Sequence, residues 1–222
     1  MNRLLRSKKF KTGVWGTGYI GLSTMFYFSK KKINCVWYDI NHEKVRIINS
    51  GVLPLKDLKN WFGFEIKKLV KQNYLKATYN YKDLITDDFL VHFVAIPTEK
   101  DGKPYYKPLL NVLTNIAKIK RQVKNPPIVI IESTLAPKVS DKKIIPFLKK
   151  KKLTIGKNIL LSVAPRRDWF IEGVKNLENL DRVYGSTDTR SAKVTKDILY
   201  IVCKTLHLDS AYKVSDMVKR VE

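Results

Sequence analysis

The amino-acid sequence predicts an α/β fold, a doubly wound and mostly parallel sheet with helices on both faces. Three observations lead there. Short apolar runs at 12–15, 34–38, 89–95, 128–132, 159–163, 182–185 and 211–214 read as strands. Amphipathic stretches at 19–31, 42–50, 58–71, 108–122, 138–149 and 189–204 read as helices and alternate with those runs. The strand candidates are apolar at nearly every position rather than at every second one, as strands buried on both faces must be. No internal repeat and no Gly/Ser/Pro-rich linker divides the 222 residues, so one doubly wound domain is the simplest arrangement.

The first strand, Thr12-Gly13-Val14-Trp15, runs into Gly16-Thr17-Gly18-Tyr19-Ile20-Gly21. Each glycine of this Gly-x-Gly-x-x-Gly spacing has a physical task where a dinucleotide binds. Gly16 lets the chain turn sharply out of the strand. Gly18 leaves room for a pyrophosphate to reach the backbone. Gly21 lets the following helix close on the strand. The free N–H groups around Tyr19 and Ile20, and the positive end of the helix dipole, then face the phosphates. The second strand ends at Tyr38, and Asp39 follows eighteen residues after Gly21. A carboxylate there accepts hydrogen bonds from both ribose hydroxyls and repels a 2′-phosphate, which selects NAD over NADP. The alternative is a glycine turn that binds nothing. The flanking strand, the helix positions Leu22, Met25, Phe26 and Phe28, and the correctly spaced acid favour a Rossmann-type NAD site.

In a doubly wound sheet, ligands sit beyond the C-terminal strand ends, so the loops after the strands carry the information. They are Ala95-Ile96-Pro97-Thr98-Glu99, Glu132-Ser133-Thr134-Leu135-Ala136-Pro137 and Ala164-Pro165-Arg166-Arg167-Asp168. Taken singly, proline ends strands and Ser or Thr caps helices in any fold. Three such turns in order along one sheet edge suggest a site.

Composition sets the outer limits. Hydrophobic residues make up 44%, enough for a sizeable core. No apolar run is long enough for a membrane span, and the basic start lacks the apolar centre of a signal peptide. Cys35 and Cys203 have no metal or redox spacing and read as buried packing residues; a reducing, cytoplasmic setting and no metal are expected. The formal charge is +23, from 43 Lys and Arg against 20 Asp and Glu. Such a charge attracts polyanions in general, but no Arg-aromatic motif accompanies the lysines. A nucleic-acid role therefore ranks last.

The ordered set Gly16-Thr17-Gly18-Tyr19-Ile20-Gly21-Leu22, Asp39 with Lys44, Ile96-Pro97-Thr98, Glu132-Ser133-Thr134, Ala164-Pro165, Glu172-Gly173 and Arg182-Val183-Tyr184-Gly185 resembles the N-terminal NAD-binding domain of the UDP-glucose/GDP-mannose dehydrogenase family. The resemblance runs from Lys11 to Glu222. It implies NAD-dependent oxidation of a nucleotide-sugar C6 alcohol to a carboxylate, using two NAD, as in polysaccharide biosynthesis. It places Lys44 near the adenosine, and Ile96, Pro97, Thr98, Ser133 and Thr134 near the nicotinamide half. It assigns Glu172, with Thr134, to catalysis.

Two departures stand out. The family carries Pro-Glu where this chain has Pro165-Arg166, and that glutamate takes part in acid/base chemistry. Arg166 and Arg167 would instead grip substrate phosphates or lie in a solvated loop. In addition, the family's nucleophilic cysteine belongs to later domains. The expected organisation is therefore a basic leader (1–11), an NAD-binding domain (12–214) and the start of a helix leading to a middle domain (215–222). The expected partners are a nucleotide-sugar substrate and either the missing domains or a complementary subunit. Alternatives are another Rossmann dehydrogenase, or a non-catalytic NAD-sensing or interaction module.

Overall fold

From Lys11 the chain enters strand β1 (Lys11–Trp15), then helix α1 (Tyr19–Lys30), β2 (Asn34–Tyr38), α2 (His42–Asn49), α3 (Glu65–Lys71) and β3 (Leu75–Thr78). It continues through β4 (Phe89–Val94), a small hairpin of β5 (Glu99–Lys100) and β6 (Lys103–Pro104), α4 (Lys107–Ile116), β7 (Ile128–Ile131) and α5 (Ile145–Lys150). Strand β8 (Leu160–Val163), β9 (Arg182–Ser186), α6 (Thr189–Leu199) and β10 (Leu206–Asp209) follow. The computed structural model describes residues 5, 7, 9–16, 18–55, 65–119, 125–166 and 177–209. None of the described helices is long and apolar enough to cross a membrane.

The eight long strands form one sheet in the order β3-β2-β1-β4-β7-β8-β9-β10. Neighbours run parallel except at β8/β9, where Val163 faces Gly185 in antiparallel register. The fold is thus the mostly parallel α/β sheet that the alternating apolar runs predict. Chain order reverses between β1 and β4, which opens a crevice at their C-terminal ends. The antiparallel joint has a second effect. It sets the first residue of β9, Arg182, at the same edge as the C-terminal ends of β4, β7 and β8.

Both faces are covered. In β7, Ile128 and Ile130 join a cluster that includes Leu22, Met25 and Phe28 of α1, Val45 of α2 and Ile198 of α6. Val129 and Ile131 point the other way, against Leu109 and Leu113 of α4 and Leu148 of α5. Side chains alternate across a strand, so an all-apolar strand serves two cores. Leu5 and Phe10, within the expected basic leader, are buried in the first cluster.

Several elements differ from the sequence reading. Strand β3 was absent from it, because Lys76 interrupts a run of only four residues. The polar stretch after Thr98 holds the β5–β6 hairpin, turned by Asp101 and Gly102, both with positive φ. The helix expected at 138–149 begins as a π-helical turn, Ser140–Ile144, before α5. Pro146 lacks an N–H, and its ring crowds the carbonyl four residues earlier, so the backbone widens there. Helices α4 and α6 end at Ile116 and Leu199, earlier than expected. The last strand is Leu206–Asp209. Positions 211–214 and 215–222 lie outside the described residues.

Ser162, Ser186 and Thr195 join their hydroxyls where β8, β9 and α6 meet, with Ser162 Oγ 2.7 Å from Thr195 Oγ1. The trio satisfies polar groups that would otherwise be stranded in the core.

Candidate functional site

The glycine turn shows which glycines the fold itself requires. Gly16 has φ +105°, and a Cβ there would overlap the Ala95 carbonyl oxygen. A Cβ on Gly21 would overlap the carbonyl oxygen of Gly16. Trp37 Nε1 donates to that same Gly16 oxygen at 2.5 Å and holds the turn against β2. Gly18 is different. Its φ of −76° and ψ of −178° suit any residue, and a Cβ there meets none of the described residues within 4 Å. Among the described residues, neither packing nor backbone strain calls for glycine at 18. Gly18 is the N-cap of α1 and brings no side chain to cap it, and no acid lies in the first turn. The first-turn N–H groups, around Tyr19 and Ile20, carry the positive end of the helix dipole.

Asp39 follows β2 and is 5% exposed. Its Oδ1 accepts the Asn41 N–H at 2.6 Å. Its Oδ2 is buried and has no partner among the described residues. Burial pushes the carboxyl above the usual carboxylate range, against N–H bonds from Asn41 and Ile40 and the opposing charge of Lys44. A buried acceptor without a donor is costly. Lys44 sits in α2, where its backbone N–H is taken by the Asn41 side chain at 3.1 Å.

The loops after β4 and β7 are laced together. Ser133 Oγ accepts the Ile96 N–H at 2.9 Å and donates to the Ile96 carbonyl at 2.7 Å. Thr98 Oγ1 donates to the Thr134 carbonyl at 2.5 Å. The two threonines, with Glu99, Gly102 and Tyr106, line a cleft of about 320 Å³ whose wall is the β5–β6 hairpin. Pro97 is exposed beside it. Ser133 is buried beneath, so it shapes these loops rather than lining the cleft.

Arg166 does not lie in a solvated loop. Its side chain is 1% exposed, with Nη1 donating to Thr24 Oγ1 at 2.5 Å and Nη2 to Ser23 Oγ at 2.8 Å. Glu132 Oε1 lies 3.7 Å from Arg166 Nη1 and 2.5 Å from Arg182 Nη2. Arg182 also donates to the Ala164 carbonyl at 2.8 Å. Thr24 Oγ1 completes the set by donating to Glu132 Oε2 at 2.6 Å. A guanidinium so committed is poorly placed to grip a substrate phosphate. Arg167, Asp168 and Glu172 lie outside the described residues.

Glu132, Arg182, Ser23 and Thr24 were not picked out from the sequence as site residues. Their signal was a charge at the end of an apolar strand, an arginine opening another, and two adjacent hydroxyls on a mostly apolar helix. Cys35 and Cys203 are buried. Burial pushes the Cys35 thiol up to about 12. It also raises Cys203, although Arg182 and Arg166 pull the other way.

A doubly wound sheet, a glycine turn ending in an uncapped helix, and a buried acceptor after β2 define a Rossmann-type dinucleotide-binding domain. The chain belongs to the UDP-glucose/GDP-mannose dehydrogenase family, whose NAD-binding domain matches residues 10–202. It is 31% identical over 214 residues to UDP-N-acetyl-D-mannosamine dehydrogenase of Methanocaldococcus jannaschii, covering 94% of this chain and 46% of that protein. It is 27% identical over 216 residues to Protein CapL of Staphylococcus aureus, covering 94% of this chain and 47% of CapL. Among solved structures, UDP-D-ManNAc dehydrogenase from Pyrococcus horikoshii superposes with a TM-score of 0.82 at 25% identity, over 95% of this chain and 49% of that one. The chain thus spans about half the length of these relatives.

Proposed function

We propose that this chain is the cofactor-holding part of a nucleotide-sugar 6-dehydrogenase, in which the C6 alcohol of a sugar is oxidised to a carboxylate with two NAD. The observation that carries this reading is the pairing, among the described residues, of a sterically unrequired glycine, Gly18, with a buried acceptor lacking a donor, Asp39 Oδ2. NAD, when bound, accepts a hydride at its nicotinamide. The residues of this chain bind and orient it. Gly16, Gly18, Tyr19, Ile20 and Gly21 cradle the pyrophosphate; Asp39 accepts the ribose hydroxyls; Lys44 lies toward the adenosine. Ile96, Pro97, Thr98, Ser133 and Thr134 shape the nicotinamide end, and the Thr98–Thr134 cleft receives the reacting half. Thr134, with Glu172, is the candidate for catalytic contact.

The second hydride step needs a nucleophile to trap the aldehyde. Both cysteines are buried, so in this reading the nucleophile and the groups that read the sugar nucleotide come from outside these 222 residues. One observation favours a second reading, a non-catalytic NAD-binding module. The position where the family carries an acid/base glutamate holds Arg166, which is locked into a buried cluster.

Titration with NADH, followed by nicotinamide fluorescence with NADPH as comparator, tests the cofactor reading. Saturable binding that favours NADH is expected; no binding, or equal response to both, would reject it. Turnover of a nucleotide sugar after addition of a polypeptide carrying the missing cysteine separates the enzyme from the module.

A further inference from the structure

The Arg166 cluster reaches the first turn of α1 through side-chain oxygens alone. Arg166 Nη2 donates to Ser23 Oγ at 2.8 Å. Ser23 Oγ then spends its proton on the Ile20 carbonyl at 3.1 Å, in the first turn. Beside it, Thr24 Oγ1 accepts from Arg166 and donates to Glu132 Oε2 at 2.6 Å. The two hydroxyl protons each have one direction here. A serine or threonine hydroxyl carries one, and each is committed. Arg182 fixes Glu132 from the far side at 2.5 Å. Ser23, Thr24, Glu132, Arg166 and Arg182 are all buried, between 0% and 4% exposed. Hydrogen bonds in such surroundings tolerate little displacement.

From this relay we infer that Arg166 is a positioning residue for the dinucleotide: it fixes α1 in rotation and along its axis, and so aims the first-turn N–H groups at the pyrophosphate. The inference rests on the NAD reading above. The residue that replaces the family's glutamate thereby contributes to holding the cofactor rather than to moving protons. The chemistry explains why arginine and not lysine stands there. A guanidinium presents N–H groups on two separate nitrogens in a fixed fork that reaches two adjacent hydroxyls, whereas an ammonium carries its three N–H groups on one nitrogen. Adjacent positions on a helix point 100° apart, and the two nitrogens of the fork serve one hydroxyl each, Nη1 Thr24 and Nη2 Ser23.

The test compares NADH affinity with folding stability across matched variants. Thr24→Val and Ser23→Ala each remove one hydroxyl from the relay, and Arg166→Lys keeps the charge without the fork. Thr195→Val is the control, since it removes a buried hydroxyl from the separate Ser162–Ser186–Thr195 trio. The three relay variants are expected to weaken NADH binding about three- to tenfold. The control should lose comparable melting temperature with unchanged affinity, and Thr24→Ser, which keeps the hydroxyl, should bind as the parent chain does. Ser23→Ala removes only one oxygen and carries the test if Thr24→Val fails to fold. NADH affinity within twofold of the parent in Ser23→Ala and Arg166→Lys would overturn the inference and leave the cluster a structural one. A parent chain that binds no NADH would reject the NAD reading itself, and this inference with it.

Discussion

Thr24 and Glu132 lie 108 positions apart in sequence, yet the threonine hydroxyl donates to Glu132 Oε2 at 2.6 Å. The contact joins helix α1, which follows β1, to the end of β7, and β4 lies between β1 and β7 in the sheet. Glu132 is 1% exposed and its other oxygen faces two guanidiniums. A carboxylate taken so far from water is tolerable only with such partners. The antiparallel entry of β9 supplies one of them, because it delivers Arg182 to the edge where Glu132 ends β7. Sheet topology and site electrostatics are therefore linked at this point.

Glu132→Gln keeps the shape and the Thr24 contact but removes the charge. Arg182 and Arg166 are then left facing a neutral amide in a dry site. The variant is expected to lose about 3 kcal/mol or more of stability, as when one partner of a buried ion pair is removed. Urea denaturation measures this directly. A loss below about 1 kcal/mol would mean that water or another group already screens the cluster.

The three glycines are expected to separate cleanly on alanine substitution. Gly16→Ala meets the Ala95 carbonyl with an unsuitable φ, and Gly21→Ala meets the Gly16 carbonyl. Each should cost about 2–4 kcal/mol. Gly18→Ala meets none of the described residues, so its melting temperature should stay within about 2 °C of the parent's while NADH binding falls sharply. Parallel melting curves and titrations read both effects. Intact binding by Gly18→Ala would remove the strongest support for a pyrophosphate at this turn.

The buried thiols yield a prediction about reactivity. Thiolate is the nucleophilic form, and burial holds Cys35 at about 12 and raises Cys203. At pH 8 the folded chain should therefore resist a thiol-specific chromogenic reagent, with both cysteines reacting once denaturant is added. Rapid stoichiometric labelling of the folded chain would reopen the question of a nucleophile within it.

Much of this was legible in the residues because local pattern and tertiary role coincide. The Gly16–Gly21 spacing, the apolar strands and Asp39 after Tyr38 each report on their own surroundings. What escaped the sequence depends on distant partners. Arg166 reads as a surface charge until Glu132, Ser23 and Thr24 are brought around it from two other segments. Strand β3 has too few residues to show a period, and it is recruited by pairing with β2, where Trp37 faces Ala77. The π-helical turn before α5 follows from Pro146, whose effect on the preceding turn a periodicity reading passes over.

Asp39 sets function against stability. Its carboxyl is raised by burial above the ordinary carboxylate value, so the folded chain holds that proton more tightly than the unfolded chain does. Between the unfolded and the raised value, stability must then fall as pH rises, and above the raised value the cost of a buried, half-satisfied charge is fully present. Asp39→Asn keeps an oxygen for the Asn41 N–H and removes that cost. Its melting temperature at pH 7 should match or exceed the parent's, with the difference vanishing at acid pH. The binding effect runs the other way. Ribose hydroxyls need the ionised acceptor, so NAD affinity of the parent should weaken as pH falls toward the raised value, whereas the Asn variant should bind weakly at every pH and lose its preference for NADH over NADPH. Isothermal calorimetry from pH 5 to 8 measures both, together with the proton uptake or release that accompanies binding. An Asn variant that retains parental affinity and preference would place the ribose elsewhere.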